Sequence, residues 1–99
     1  MPRSQKDDAG FITGRITLNG EYDLARRDEI AEAFTAAEGA SIVIVDLSNV
    51  TYMDSSVLRE LALLRLKRGD RRIAVVGAND NLRRILKISG IDRIVDEIN

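Results

Sequence analysis

Residues 42–45 read Ile-Val-Ile-Val, four β-branched side chains in a row, and this run limits the fold more than any other stretch. A strand with one face in water would alternate apolar and polar residues, so an unbroken run is expected to be covered on both faces. Asp46-Leu47-Ser48-Asn49-Val50-Thr51 is polar and turn-prone, and Tyr52-Met53 is a short extended segment leading into a helix. Asp54, Ser55 and Ser56 each carry a side-chain oxygen that can accept from the free N–H groups of a first helical turn. The helix is predicted over residues 56–67, with Leu58, Leu61, Ala62 and Leu64 inward and Arg59, Glu60, Arg65 and Lys67 in water. Strand, polar loop and helix start therefore converge on Ser55.

The other segments fit one α/β layer around that strand. The first ten residues are polar and charged with little to bury, and are expected to form a flexible arm (residues 1–10) ahead of the domain proper (residues 11–99), although a short edge strand is compatible with them. In Arg15-Ile16-Thr17-Leu18 the apolar side chains alternate with polar ones, as in a half-exposed strand. Asn19-Gly20-Glu21 reads as a turn, and Asp23 as the N-cap of a helix over residues 24–37. There Ile30, Ala33, Phe34 and Ala37 face inward, Arg26, Arg27, Glu29 and Glu32 face outward, and Gly39 suits the stop. After a hydrophilic turn at residues 68–71, Ile73-Ala74-Val75-Val76 is a second buried strand. A whole helix separates it from residues 42–45, so the two are expected to be parallel and joined by a right-handed crossover. A third helix is predicted over residues 81–88, ended by Ser89-Gly90, then a last short strand at residues 92–95 and a fraying tail. The sum is an α/β fold with a mixed central sheet and helices packed on it.

At 99 residues the chain has material for one core and one domain. A net charge of −1 offers no bulk attraction to nucleic acid or to anionic membranes. The basic pairs Arg71-Arg72 and Arg83-Arg84, with Lys87, lack the aromatic side chains on which bases stack, so a solvated face is expected. There is no Cys and no His, which removes thiol chemistry, the usual zinc ligands and the commonest general base at neutral pH. Asp46 and Asp54 flank the loop on opposite sides, and turn bonding and capping account for them singly. No enzyme activity, catalytic residue, metal or cofactor is expected. The N-terminal charges have no apolar run behind them, and no segment approaches the ~18 apolar residues of a membrane span. A cytoplasmic protein without membrane insertion is the expectation.

The segment from Asp46 to Ser56, with its Asp-Leu-Ser and its Asp-Ser-Ser, resembles the signature of the STAS domain. That domain is found in bacterial anti-sigma factor antagonists and at the cytoplasmic end of sulfate transporters. Asn19-Gly20-Glu21-Tyr22-Asp23 is similar to the family's entry into its first helix. Leu82-Arg83-Arg84-Ile85-Leu86 and Ser89-Gly90-Ile91-Asp92-Arg93-Ile94 are similar to its third helix and the turn into the last strand. The resemblance runs from about Ile16 to Val95 and implies a STAS-like, SpoIIAA-like fold. It also implies that Ser55, directly after the second Asp of the signature, is a phosphoacceptor, and that Asp23, Asp54, Ser55, Ser56 and Val57 face a partner. Val57 stands where the family usually has Gly, and its β-branched side chain is expected beside Ser55, narrowing a kinase's access. The chain stops at Asn99, where many members continue into a further helix, so one covering element is expected to be short or missing.

The resemblance implies the role of an anti-sigma factor antagonist. The unmodified domain would bind an anti-sigma factor serine kinase of the GHKL type and free the sigma factor. Phosphorylation of Ser55 would end the complex, and a serine phosphatase would restore it. Short STAS proteins also serve as constitutive subunits of phospholipid-transport ABC systems, where the same surface holds the ATPase without a phosphorylation cycle. A scaffold role in a larger signalling assembly is a third implication.

Overall fold

The computed structural model describes residues 3–6, 12–22, 26–69 and 71–98. Five strands form one sheet in the order β1-β2-β3-β4-β5: β1 (Arg3–Lys6), β2 (Ile12–Tyr22), β3 (Ile42–Met53), β4 (Arg72–Val76) and β5 (Glu97–Ile98). β1 is antiparallel to β2, and every later neighbour is parallel. Helices α1 (Arg27–Ala37), α2 (Ser55–Arg68) and α3 (Asp80–Ile88) fill the three parallel crossovers. The sheet is mixed, as expected. The first ten residues, read as an arm, contribute an edge strand: Arg3 to Lys6 pair with Arg15 to Ile12. An edge strand needs backbone pairing and no buried side chains, so a polar segment can supply it.

Because each crossover adds the next strand on the same side, and such crossovers are right-handed, all three helices fall on one face of the sheet. Burial follows that geometry. Along β3, Val43, Val45 and Leu47 are buried, while Ile42, Ile44 and Asp46 between them are half-buried. The expectation of cover on both faces is therefore corrected. The far-face isoleucines are shielded by neighbouring strands, with Ile44 between Arg15 and Ala74, and, among the described residues, by no helical layer. On the covered face, Ile16 and Leu18 of β2 and Ile73 and Val75 of β4 join the β3 residues. Against them pack Ile30 and Phe34 of α1, Leu61 and Leu64 of α2, and Leu82 and Leu86 of α3.

The segments read as turns on either side of the site are strand. β2 continues through Asn19-Gly20-Glu21 to Tyr22, and β3 through Asp46–Thr51 to Met53, with register shifts between Thr17 and Asn19 and between Gly20 and Glu21. Turn residues fit here as bulges. Gly20 takes a φ of +79°, which a bulge accepts and glycine adopts freely. The flanking carbonyls of Asn19 and Glu21 receive the Arg26 guanidinium at 2.9 and 2.8 Å, and Asn49 Nδ2 donates to Asn19 Oδ1 at 3.1 Å. Arg26, expected to face outward, ties the start of α1 to this bulge. On the other side of β3, Gly77 has φ +76°, and a Cβ there would lie 2.7 to 2.9 Å from Ser48 atoms. Only glycine lets β4's end approach β3 so closely.

α3 begins at Asp80, one residue earlier than predicted, because the Asn79 side chain accepts from Leu82 N at 2.8 Å. The last strand is not at residues 92–95. Ile91–Arg93 is a 3-10 turn, in which Ile94 and Val95 N–H both donate to Ile91 O. Ile91 and Val95 are buried while Arg93 between them is exposed, a pattern that a helical turn gives and that strand alternation, which would put all three on one face, does not. β5 follows at Glu97–Ile98, in the segment read as a fraying tail. Asp96 anchors it, its Oδ2 accepting from Ile73 N at 2.7 Å and from Arg65 Nη2 at 2.9 Å.

Those bonds, the Ile73 N–H first and Arg65 second, hold the Asp96 carboxyl below the usual carboxylate range. Asp46 is also lowered, first by the Ser48 hydroxyl and backbone N–H, then by Arg15. A carboxylate with a folded pKa below its unfolded value, ordinarily ~3.9, stabilises the fold above that value. That stability is lost as pH falls through the folded pKa. Urea denaturation at pH 6, 4 and 3 should show falling stability, and Asp96→Asn should flatten the decline. An unchanged slope in the variant would remove Asp96 from the acid sensitivity.

Candidate functional site

At the covered end of β3 the chain passes from Met53 through Asp54 into α2. Asp54 has an extended backbone (φ −107°, ψ −167°), and its carboxylate accepts from Ser56 N at 2.8 Å. This is an N-cap, as predicted. It leaves Ser55 as the first helical residue and turns its side chain to solvent. Its hydroxyl has no bonding partner among the described residues. The next two residues turn inward: Ser56 is 8% exposed, and Val57 is wholly buried in the core.

Val57 lies on the helical stripe Val57, Leu61, Leu64, Arg68 that faces the sheet, so it packs beneath Ser55 rather than beside it. The expected narrowing of access to Ser55 is corrected, and so is the expectation that Val57 faces a partner. Ser56 is likewise more a packing residue than a surface one. Asp54 is half-buried and occupied in capping. Of the five expected partner-facing residues, the structure presents Ser55 openly. Asp23 lies outside the described residues. The strand before it ends alongside β3, with Glu21 opposite Tyr52 and Tyr22 opposite Met53.

Ser55 opens onto a cleft of about 330 Å³ between α1 and α2. Asp28 and Ala31 line it from α1, and Arg59, Glu60 and Leu63 from α2. Tyr52, 51% exposed, stands three residues before Ser55. The sequence reading missed both Tyr52 as a surface residue and the cleft. The signal for Tyr52 was the polar run around it, since only Val50 and Met53 are buried at the end of β3.

Asp46 and Asp54 do not form a carboxylate pair. Asp46 is taken up by Arg15 at 2.6 Å and by Ser48 N and Oγ at 2.9 and 2.6 Å. Among the described residues no group of His, Cys, Asp or Glu could hold a metal, and no helix is long and apolar enough to cross a membrane. Arg71, Arg72, Arg83, Arg84 and Lys87 are exposed, as expected of a solvated face.

The fold and the site together define a one-sided α/β layer that presents a serine at a helix start. A family model described as "Mlab, STAS domain" matches residues 6–96, and the chain belongs to the STAS domain family. The anti-sigma-B factor antagonist of Staphylococcus aureus is 30% identical over 80 residues, covering 77% of this chain and 74% of its own. A STAS-domain containing protein of Pseudomonas aeruginosa is 32% identical over 82 residues, covering 80% and 81%. Among solved structures, an anti-sigma factor antagonist from Mycobacterium paratuberculosis has a TM-score of 0.80 at 23% identity, covering 99% of this chain and 84% of that one. The Bacillus cell fate determinant SpoIIAA in its phosphorylated form has a TM-score of 0.65 at 14% identity, covering 100% and 92%. Both structures share the fold.

Proposed function

We propose that this domain is an anti-sigma factor antagonist, a cytoplasmic binding partner and substrate rather than a catalyst. In its unmodified form it engages an anti-sigma factor serine kinase of the GHKL type. Phosphorylation of Ser55 ends that complex, and a serine phosphatase resets it. The observation that carries the reading is the Ser55 hydroxyl, open to solvent and unbonded among the described residues, directly after a capping Asp54. Support comes from the relative named as an antagonist in Staphylococcus aureus. A phosphate adds roughly −1.5 to −2 charges, and a helix N-terminus tolerates them, so the fold survives modification. A partner seated over that helix end must desolvate the dianion, and its affinity falls.

A second reading is favoured by the matched family model, whose description carries the Mlab name rather than an antagonist's. In it the domain is a constitutive STAS subunit of a phospholipid-transport ABC complex, and Ser55 is only the first residue after a helix cap. A paired pull-down from the native host's lysate, with wild type and Ser55→Asp as baits and mass spectrometry as readout, separates the two. The antagonist reading expects a small kinase retained by wild type and lost, by tenfold or more, with Ser55→Asp. A transporter ATPase retained equally by both baits overturns it in favour of the second reading.

A further inference from the structure

Among the described residues that line the cleft beside Ser55, Arg59 is the one cation. Arg59 is exposed, lines the same cleft as Ser55, and makes no ion pair or hydrogen bond among the described residues. It stands four residues after Ser55 on α2, and side chains at that spacing lie over one another on a helix surface. Helical side chains also lean toward the N-terminus, so the Arg59 guanidinium leans back over the turn that begins with Ser55. An acidic group at the N-terminal position with a cation four residues later is the favourable orientation of such a pair.

We infer that Arg59 is the built-in counter-ion for a phosphate on Ser55. The inference rests on the phosphoacceptor reading of Ser55 and adds to it what the phosphate meets on this chain. Guanidinium and phosphate match in a two-bond, charge-assisted geometry. Among the described residues the other charges near Ser55 oppose the phosphate: Asp28 across the cleft on α1, Glu60 on α2, and the capping Asp54 beside Ser55. Without Arg59, the modified serine would face three carboxylates and no cation among the described residues. With it, phosphorylation adds a negative charge and withdraws a free cation from the surface at once.

The test is the second ionisation of the phosphate, followed by 31P NMR in protein carrying phosphoserine at position 55 by chemical or genetic-code incorporation. An exposed phosphoserine titrates near ~6. The wild type should titrate ~0.5 to 1 unit below Arg59→Gln, a roughly three- to tenfold difference in proton affinity, because the cation favours the dianion. Arg59→Lys should recover part of the difference, and Asp28→Asn should lower the value further. Coincident titrations for wild type and Arg59→Gln would overturn the inference. Because no kinase installs the phosphate, this outcome is independent of whether the pull-down supports the antagonist reading. Arg59 is exposed, so circular dichroism of the variant should match wild type.

Discussion

Val57→Gly should lower the stability of the domain by about 3 kcal/mol. The Val57 side chain is fully buried against the core, and removing it forfeits about 1.5 to 3 kcal/mol of burial and leaves a cavity that the sheet cannot close. Glycine further weakens the first turn of α2 by roughly 0.5 kcal/mol relative to valine. In urea denaturation the midpoint should fall at an unchanged m-value, and Val57→Ala should show most of the loss, since burial is its larger part. A cost under about 0.5 kcal/mol, the scale of an ordinary surface substitution, would mean that Val57 does not hold α2 to the sheet. Opening space at this position should leave the reactivity of Ser55 unchanged, since Val57 lies beneath the helix and not in front of the hydroxyl. A Ser55 that reacts faster only in Val57→Gly would contradict that placement. The residue that distinguishes this chain at the signature thus acts on stability, by fixing the helix that presents Ser55.

The parts of the fold that were legible in the sequence are those with local causes. Residues 42–45 announce a strand through β-branching. Asp54 announces a helix start through the bond its side chain makes to Ser56 N, whereas the matching bond of Asn79 to Leu82 N went unread and the third helix was expected one residue late. Ser55 was singled out through the resemblance, while its own residue type left it only one of three cap candidates; the cap at Asp54 is what sets the phase that turns it to solvent. Other features depend on distant partners. A continuous apolar run reads the same whether the second face is covered by helices or screened by adjacent strands, so the one-sidedness of the sheet was hidden at Ile42 and Ile44. Asn19-Gly20-Glu21 reads as a turn because the residues that permit turns also permit bulges, and only the parallel partner β3 decides between them. Val57 and Arg68 could have been found. They complete the stripe with Leu61 and Leu64, but a resemblance drew the first toward the surface and a charge drew the second into a solvated turn.

Arg68→Met should cost about 3 kcal/mol, on the scale of hydrogen bonds to a charged group. Arg68 is 3% exposed at the end of α2 remote from Ser55. Its Nη1 donates to Glu38 O at 2.8 Å and to Ala40 O at 2.5 Å, and its Nη2 to Ser41 O at 3.0 Å and to Arg72 O at 2.8 Å. One side chain thus joins the α1–β3 connection to the start of β4. Burial, and then repulsion from Arg71 and Arg65, lower its pKa against a smaller opposing pull from Asp96. A guanidinium still keeps its charge, its ordinary value being so high. No carboxylate among the described residues bonds it directly. Carbonyl dipoles and the negative end of the α2 dipole take that place, while Nε stays buried without a partner. Methionine keeps much of the volume and removes every donor, so four carbonyls must find water or shift. Arg68→Lys retains the charge but not the fork, and should recover part of the stability at most. Amide exchange should accelerate first at residues 40–42 and 72–73 and leave the α2 start at residues 55–57 protected, if Arg68 acts as a clamp on the connections. Wild-type exchange at those positions in Arg68→Met would show the bonds to be incidental. Val57 at one end and Arg68 at the other tie α2 to the sheet, so the proposed phosphorylation of Ser55 would act through surface charge without requiring the helix to move.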